Sequence, residues 1–251
     1  VSGATGVVGQ EFLDLHSDKF KSVYFLGRTP PSQKGEFIFF DFHSDTSPKI
    51  PNVDIFINLA AHTDLSAAEI NPSLNLKTNV IGFAKTLECL VEQVNSVFVV
   101  NVGTATQIGF TDSHIATNED HVDAPVSVYD IGKLTTELLL LHYIAAGKLN
   151  GCSLRLTNVF GRGSSSQVAS RGVVDKIMAR ALEGEDITLM VNPALMRDYV
   201  HVSDVADAIY AVCESQKAAN GQKFIVGSGV GTSIGDAFDT VVRATQELSG
   251  Y

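Results

Sequence analysis

Residues 1–9 read VSGATGVVG and carry the glycines Gly3, Gly6 and Gly9 between a short apolar start and a helical pattern over 7–20. Glycines at this spacing allow a tight turn and a close approach of the backbone to a ligand. The helix that follows presents N–H groups without intrahelical partners, and a partial positive charge, to a phosphate. The stretch therefore predicts a strand, a glycine turn and a helix that hold a dinucleotide. A plain structural turn is the alternative.

Beyond this turn, apolar runs of strand length alternate with longer helical patterns. The apolar runs are rich in Val, Ile, Leu and Phe, which suits strands of a parallel sheet covered on both faces. The predicted strands are 23–27, 37–41, 53–60, 97–102 and 152–158, and the predicted helices are 7–20, 72–95 and 127–147. This alternation predicts a doubly wound α/β fold with right-handed crossovers.

The pattern changes after residue 158, and this change predicts two units. The later part contains a Gly- and Ser-rich segment at 160–170, a helix near 173–183, a short strand near 197–201, a helix from Ser203, and a final strand and helix within 224–248. We predict a dinucleotide-binding unit over 1–160 and a smaller, mostly substrate-binding unit over 161–251, with some strands returning to the first unit. Because the chain opens at Val1 directly before the glycine turn, we expect both ends to be trimmed.

Composition and charge exclude several classes of protein. The 251 residues include 18 Lys and Arg against 28 Asp and Glu, a net charge of -10, and no basic run, which argues against nucleic-acid and membrane partners. Without a bilayer-length apolar stretch or a signal segment, a cytoplasmic location is predicted. Cys89, Cys152 and Cys213 are widely spaced and predict reduced thiols. The His residues show no metal-ligand spacing, so no metal site is predicted.

The end of the first complete strand bears on the choice of cofactor. In dinucleotide folds an acidic residue at this point binds a free ribose 2′-hydroxyl, whereas a small residue followed by Arg accommodates a 2′-phosphate. Here Gly27 is followed by Arg28, and no acidic residue stands there. The pair favours NADP over NAD, and a solvent-facing Arg in a turn is the alternative.

Tyr129 and Lys133 form a candidate acid–base pair. They are four positions apart in a predicted helix, so they share one face with side-chain bases about 5–6 Å apart. A Lys charge at that distance supplies roughly 3 kcal/mol towards ionising the tyrosine, most of what ionisation near neutral pH requires. Taken alone, such a pair is also typical of a solvated helix face.

Six motifs follow one another along the chain. They are GATGVVG at 3–9, NLAA at 58–61, NVIG at 79–82, the Tyr129 and Lys133 pair, LRLTNVFG at 154–161 and RDYVHVSD at 197–204. Together they resemble the extended short-chain dehydrogenase/reductase family, the NAD-dependent epimerases, dehydratases and reductases that modify nucleotide sugars. The resemblance extends over essentially the whole chain.

The resemblance implies a Rossmann-like domain, an NADP or NAD cofactor, a nucleoside diphosphate sugar as substrate, and a homodimer. The implied catalytic residues are Tyr129, Lys133 and Thr104, the last five residues before Gly109. The implied substrate residues are His62, Thr104, Asn158 and Arg197, with Arg197 on the diphosphate. The implied cofactor residues are Gly3, Thr5, Gly6, Val7, Val8, Gly9, Gly27, Arg28, Asp41, Phe42, Leu59, Ala60, Ala61, Asn79, Tyr129 and Lys133.

The same resemblance implies reversible hydride transfer at a sugar hydroxyl carbon, carbon 4 in our prediction, through a keto intermediate. Tyr129 would exchange the hydroxyl proton, Thr104 would position the oxygen, and Lys133 would hold the cofactor ribose and lower the pKa of Tyr129. Family dehydratases follow the Thr with Asp-Glu, but Ala105 and Thr106 stand here, which argues against a 4,6-dehydratase. An epimerase is predicted. An NADPH-dependent ketoreductase and a non-catalytic NADP-sensing protein are the alternatives.

Overall fold

The computed structural model describes residues 1–109, 116–161, 173–185 and 192–249. Its strands are β1 (Tyr24–Gly27), β2 (Glu36–Phe39), β3 (Ile55–Asn58), β4 (Phe98–Thr104), β5 (Asn150–Leu156), β6 (Asn158–Phe160), β7 (Met196–His201), β8 (Lys223–Val226) and β9 (Gly231–Ser233). Its α-helices are α1 (Val7–His16), α2 (Leu65–Ile70), α3 (Pro72–Leu76), α4 (Gly82–Val91), α5 (Val128–Ala145), α6 (Val173–Leu182), α7 (Val202–Glu214), α8 (Gln216–Ala219) and α9 (Ile234–Ser249).

The main sheet is parallel and confirms the predicted doubly wound α/β fold. Strand β2 pairs with β1, and β3, β4, β5 and β8 pair in that order. Ser2 joins the two parts because it bridges Leu26 on one side and Asn58 on the other, both in parallel. The strand order reverses at this point. In open α/β sheets ligands bind in the crevice beyond the strand ends at such a reversal.

Two apolar layers cover the sheet, and strand β4 explains why the predicted strands are apolar throughout. Successive side chains of a strand point to opposite faces. Val100 packs in the cluster that contains Phe12 of α1 and Ile209 of α7. Val99 packs in the cluster that contains Leu87 of α4 and Leu140 of α5. Since both faces of the sheet are buried, the residues of its strands do not alternate between apolar and polar.

The later part of the chain contributes to two sheets. Strand β6 runs parallel to β7, and β7 runs antiparallel to β9. Strand β8 returns to the main sheet beside β5. Helix α6 packs against α9. The division at residue 160 stays a prediction.

Several predicted elements are placed differently in detail. The predicted helix over 72–95 is interrupted, because a π-helical turn at Lys77–Ile81 separates α3 from α4. The predicted strand over 152–158 ends at Leu156, and Asn158 begins β6 in another sheet. Of the predicted Gly- and Ser-rich segment, all but residues 160 and 161 lie outside the described residues. Across the described ranges, no helix combines the length and apolarity needed to span a membrane.

Candidate functional site

The glycine turn is built so that side chains would not fit in it. Gly3 has a φ of +70°, and a Cβ there would lie 2.5 Å from the carbonyl carbon of Leu59. A Cβ on Gly9 would lie 2.5 Å from the Gly3 oxygen. These short distances place the start of α1 close to the end of the sheet. At neither position could another residue stand unless the backbone moved.

The first turn of α1 is open to a ligand. The helix begins after Gly6, which provides no side-chain cap, and no acidic residue stands in its first turn. The amides of the first turn of a helix have no intrahelical acceptor and carry the positive end of the helix dipole. The turn therefore fits the pyrophosphate of a dinucleotide.

A cleft of about 580 Å³ lies above this turn at the carboxyl ends of the strands. Predicted site residues from several separate segments of the chain meet in it. The predicted residues that line the cleft are Gly3, Thr5, Gly6, Val7, Val8, Gly9, Gly27, Arg28, Asp41, Phe42, Leu59, Ala60, Ala61, His62, Thr104, Tyr129 and Lys133. The cleft thus joins the glycine turn to the candidate catalytic side chains. Asn79, Asn158 and Arg197 are not among its lining residues.

Asn79 supports the cleft from behind. Its side chain is buried, its Oδ1 accepts a hydrogen bond from the His62 amide at 2.7 Å, and its Nδ2 donates to the His62 carbonyl at 3.1 Å. Both ends of the amide therefore hold the loop that follows β3. His62 itself lines the cleft, and its buried Nδ1 has no hydrogen-bond partner among the described residues.

Arg28 has an acidic neighbour that the sequence did not indicate. Strands β1 and β2 are parallel, with Gly27 beside Phe39, so the residues that follow them lie side by side. Asp41 is near enough for Arg28 to contribute to lowering the pKa of its carboxyl group, although the hydrogen bond from the His43 amide is the larger cause. The negative charge of Asp41 offsets part of the attraction of Arg28 for a phosphate.

Tyr129 and Lys133 lie on the inner face of α5, as the helical spacing predicts. Lys133 is 5% exposed, and its Nζ donates a hydrogen bond to the carbonyl of Val102 at 2.7 Å. The same nitrogen lies 5.9 Å from the centre of the Tyr129 ring. The pair is therefore held in the wall of the cleft and is not a solvated helix face.

Burial dominates the titration of both groups. Burial lowers the pKa of Lys133 to about 8 because an ammonium is poorly solvated there. Burial also raises the pKa of Tyr129, and the negative charge of Asp130 raises it further. The protein groups alone therefore keep Tyr129 protonated. A lowering by Lys133 stays a prediction for the complex with an oxidised, positively charged nicotinamide.

A chain of hydrogen bonds starts at Thr104, the last residue of β4. Thr104 Oγ1 lies 2.8 Å from Thr106 Oγ1, and the Thr106 hydroxyl donates to Asp130 Oδ1 at 2.5 Å. Ser127 Oγ donates to Asp130 Oδ2 at 2.7 Å and accepts from the Asp130 amide at 3.1 Å. We call these four side chains the Thr104–Asp130 chain. The sequence analysis missed Thr106 and Asp130 as site residues, although Ser127-x-x-Asp130 is a capping-box pattern.

A buried ion cluster fixes α5 against the sheet. Arg155 of β5 is fully buried, and its guanidinium donates to Glu137 of α5 from Nε at 3.0 Å and from Nη2 at 2.5 Å. Nη2 also lies 2.9 Å from an Asp123 oxygen. Paired charges of this kind are required wherever an arginine is buried. Since Glu137 lies one turn beyond Lys133, the cluster sets the position of the candidate catalytic face.

Arg197 and Asn158 lie apart from the cleft lining. Arg197 is exposed, its Nη1 donates to the carbonyl of Met196 at 2.8 Å, and it forms no salt bridge with any acidic side chain in the described part of the chain. Asn158 is exposed and donates to the carbonyl of Asp198 at 3.0 Å. The carboxylate of Asp198 is occupied by the amides of Ser228 and Gly229. Among the described residues, Arg197 is therefore a cation without an acidic partner, next to an ordered turn.

Metal ligands are not gathered in the part of the chain that the structure describes. No group of three or more His, Cys, Asp or Glu side chains that could hold a metal ion occurs there. The three cysteines are unpaired, and Cys152 and Cys213 are buried. The polar groups that line the cleft include hydroxyls, the phenol of Tyr129, the amine of Lys133, the guanidinium of Arg28 and the carboxylate of Asp41, together with imidazoles.

Comparisons with known proteins bear on the family and the fold of the chain. Residues 1–227 match the model of the NAD dependent epimerase/dehydratase family. The chain is 27% identical over 242 residues to the UDP-glucose 4-epimerase of Mycolicibacterium smegmatis, which covers 95% of the chain and 74% of that protein. It is 24% identical over 227 residues to the dTDP-6-deoxy-L-talose 4-dehydrogenase (NAD(P)(+)) of Kitasatospora kifunensis, which covers 87% of the chain and 70% of that protein.

Among solved structures, the UDP-glucose 4-epimerase of Thermus thermophilus in complex with NAD superposes with a TM-score of 0.81 at 21% identity. The match covers 99% of this chain and 82% of that one. At this identity the likeness establishes the fold, and the predicted Rossmann-like architecture is confirmed.

Proposed function

The chain belongs to the NAD dependent epimerase/dehydratase family, and from this premise we propose that it is a nucleotide-sugar epimerase that acts at carbon 4 of the sugar. The observation that carries the proposal is the placement of Thr104, Tyr129 and Lys133 in one wall of the cleft that begins at the glycine turn. A fold that only bound a dinucleotide would need the glycine turn alone. The proton-carrying side chains beside it favour catalysis over a sensing role.

The residues of the cleft fit the dinucleotide in a defined orientation. The open first turn of α1 would hold the pyrophosphate, Asp41 and Phe42 would lie towards the adenosine, and Lys133 would hold the nicotinamide ribose. The bound nicotinamide would supply a hydride acceptor that takes a hydride from the sugar carbon and returns it. The loop of Ala60 and Ala61, held through Asn79, would form the floor of this site.

Tyr129 would carry the proton in both directions. As the C–H bond of the sugar carbon breaks and its hydride leaves, the phenolate of Tyr129 would take the hydroxyl proton, which leaves a keto group. When the keto sugar has turned over, Tyr129 would return the proton to the oxygen as the carbon is reduced from its other face. Thr104 would hold the same oxygen, and positioning of this kind is worth several orders of magnitude in rate.

A second candidate is an NADPH-dependent ketoreductase of a nucleotide sugar. Arg28 at the mouth of the cleft favours it, and the relative from Kitasatospora kifunensis is named as an NAD(P)(+) dehydrogenase. Asp41 beside Arg28 disfavours a 2′-phosphate, so we assign NAD to the epimerase and keep NADP for the reductase. Ala105 and Thr106, where the dehydratase pattern has an acid pair, argue against a 4,6-dehydratase.

We also propose that substrate binding and assembly follow the family resemblance. Arg197 would bind the diphosphate, with Asn158 and His62 towards the sugar.

The proposed homodimer is supported by exposed apolar side chains on helices. Among them are Ile131 and Leu138, which lie one heptad apart on α5 and are 46% and 55% exposed. Sedimentation velocity of the parent protein and of Leu138→Glu tests the dimer, which this substitution should dissociate.

The reaction is tested by incubating the protein with NAD and one nucleotide sugar at a time. The sugars are UDP-glucose, UDP-galactose and dTDP-hexoses. Formation of the 4-epimer, followed by NMR without added reductant, supports the epimerase. Net reduction of a 4-keto nucleotide sugar only with added NADPH supports the reductase. Nicotinamide fluorescence of the purified protein separates the two further, because an epimerase retains its cofactor and a reductase releases it in every cycle.

A further inference from the structure

The Thr104–Asp130 chain has a fixed direction, and Asp130 sets it. A carboxylate has lone pairs but no proton, so the hydroxyls of Thr106 and Ser127 that reach it must both donate. Asp130 is 3% exposed and lies in the first turn of α5, where the helix dipole favours a negative charge. Its two oxygens are therefore both satisfied as acceptors.

This arrangement leaves Thr106 only one way to contact Thr104. A threonine hydroxyl has a single proton. The proton of Thr106 is used on Asp130, so in the 2.8 Å contact between the two hydroxyls Thr104 donates and Thr106 accepts. Donation to a carboxylate makes the Thr106 oxygen a stronger acceptor, which reinforces the bond from Thr104. The Thr106 amide adds a weaker contact to Thr104 Oγ1 at 3.3 Å.

On the cleft side, Thr104 is consequently left with lone pairs and no free proton. It lines the cleft together with Tyr129. A sugar hydroxyl can donate to such an oxygen, whereas a keto oxygen cannot. To donate to a keto group, Thr104 would have to break its bond to Thr106.

We propose that Asp130, acting through Thr106, is a positioning residue that makes Thr104 a hydrogen-bond acceptor, so that the site binds the hydroxyl form of the sugar in preference to the keto form. The inference rests on the proposed function, since it concerns the sugar oxygen that Tyr129 would protonate and deprotonate. The proposal gives the buried carboxylate of Asp130 a role, although the negative charge of that carboxylate opposes ionisation of the Tyr129 phenol. An epimerase benefits, because a weakly held keto form is returned to the alcohol quickly and does not accumulate.

The experiment compares Thr106→Val, which removes the link, with Thr106→Ser, which keeps the hydroxyl. Thr106 is exposed, so its replacement leaves the core intact. The matched control is Thr135→Val, a threonine of α5 whose hydroxyl donates to the carbonyl of Ile131 in its own helix. Each protein is saturated with NAD and UDP-glucose, or with the nucleotide sugar that the wild type turns over, and the absorbance of the reduced nicotinamide at equilibrium gives the fraction held as keto sugar.

We expect Thr106→Val to raise this fraction about 10-fold, since the freed Thr104 proton gives the keto oxygen one additional hydrogen bond. Thr106→Ser and Thr135→Val should stay within about 2-fold of the wild type. Asp130→Asn would also remove a negative charge that raises the pKa of Tyr129, so the link is tested at Thr106.

An unchanged fraction in Thr106→Val, or an equal rise in Thr135→Val, overturns the inference while the proposed function stands. A wild type that shows neither turnover nor reduced nicotinamide with any nucleotide sugar overturns the proposed function, and the inference with it.

Discussion

The ammonium nitrogen of Lys133 lies 5.9 Å from the centre of the Tyr129 ring, one turn along the same helix. Its hydrogen bond to the carbonyl of Val102 holds it between α5 and β4. Because Lys133 is buried and the partly buried Tyr129 lines the cleft, neither can be explained as a surface group of an amphipathic helix. Their charge states depend on what occupies the cleft beside them.

Tyr129→Phe removes the only proton carrier that the proposal assigns to the cleft. We expect turnover of the nucleotide sugar to fall by at least about 10²-fold, while NAD affinity changes little because the glycine turn is untouched. Steady-state kinetics and calorimetric titration with NAD measure the two effects. Tyr143→Phe, on the same helix but outside the cleft lining, is the control. Near-parental turnover in Tyr129→Phe is incompatible with the mechanism.

Lys133 should make stability depend on pH. Burial lowers its pKa from 10.5 to about 8, so between these pH values the unfolded chain binds more protons than the folded protein, and stability rises with pH. Below pH 8 the buried charge costs roughly 3 kcal/mol. Thermal melts of Lys133→Met should therefore give a higher Tm than the parent at pH 7, with an advantage that shrinks towards pH 10. A difference in Tm that does not vary with pH contradicts this account.

The parts of this molecule that sequence could predict are those with a local or periodic signal. The uniformly apolar strands follow from burial on both faces, and the glycine turn and the spacing of Tyr129 and Lys133 follow from fixed geometry. The link from Thr106 to Asp130 spans 24 positions, and its cause is side-chain contact across the sheet end. Helix α2 was missed because it has six residues, too few for a period, although Asp64 caps it.

The same reasoning applies to the position of Asn79. Its motif placed it in the cofactor group, but only tertiary structure places it behind the cleft with both amide atoms on the His62 backbone. Likewise, the local sequence around Arg28 favours binding of a 2′-phosphate. The neighbouring strand brings Asp41 beside it, and strand pairing is not visible in a local pattern.

Glu137→Gln should weaken the fold through Arg155. Among the described residues, the substitution leaves the fully buried guanidinium with Asp123 as its remaining charged partner. Breaking a buried pair costs about 3–5 kcal/mol, and we expect the lower end because Asp123 stays in place. Urea unfolding measures the change, and Glu88→Gln on the exposed face of α4 should shift stability by less than about 0.5 kcal/mol. An equal effect of the two substitutions contradicts the role assigned to the cluster.

Arg28→Ala tests the choice of cofactor. If Arg28 binds a 2′-phosphate, its loss weakens NADP by about 1.5–3 kcal/mol and leaves NAD nearly unchanged. Asp41→Asn should act in the opposite direction and strengthen NADP, because it removes a negative charge beside the phosphate. Fluorescence titrations with both reduced cofactors measure these affinities, with Arg243→Ala on α9 as the control. Equal losses for both cofactors in Arg28→Ala would show that Arg28 does not recognise the 2′-phosphate.

Arg197→Met tests whether this exposed cation beside the ordered turn binds the substrate's diphosphate. Arg197 is exposed and has no acidic partner among the described residues, and a protein of net charge -10 needs a local cation for an anionic ligand. We expect the substitution to raise the KM for the nucleotide sugar and to abolish inhibition by free UDP.

The Tm of Arg197→Met without ligand should stay close to that of the parent, because no described salt bridge is lost. Lys217→Met, which removes an exposed positive charge on α8, should leave UDP inhibition intact and so excludes a general loss of attraction. If Arg197→Met instead melts several degrees earlier and still binds UDP normally, Arg197 is structural. The nucleotide-sugar proposal would then lose the cation on which its diphosphate contact depends.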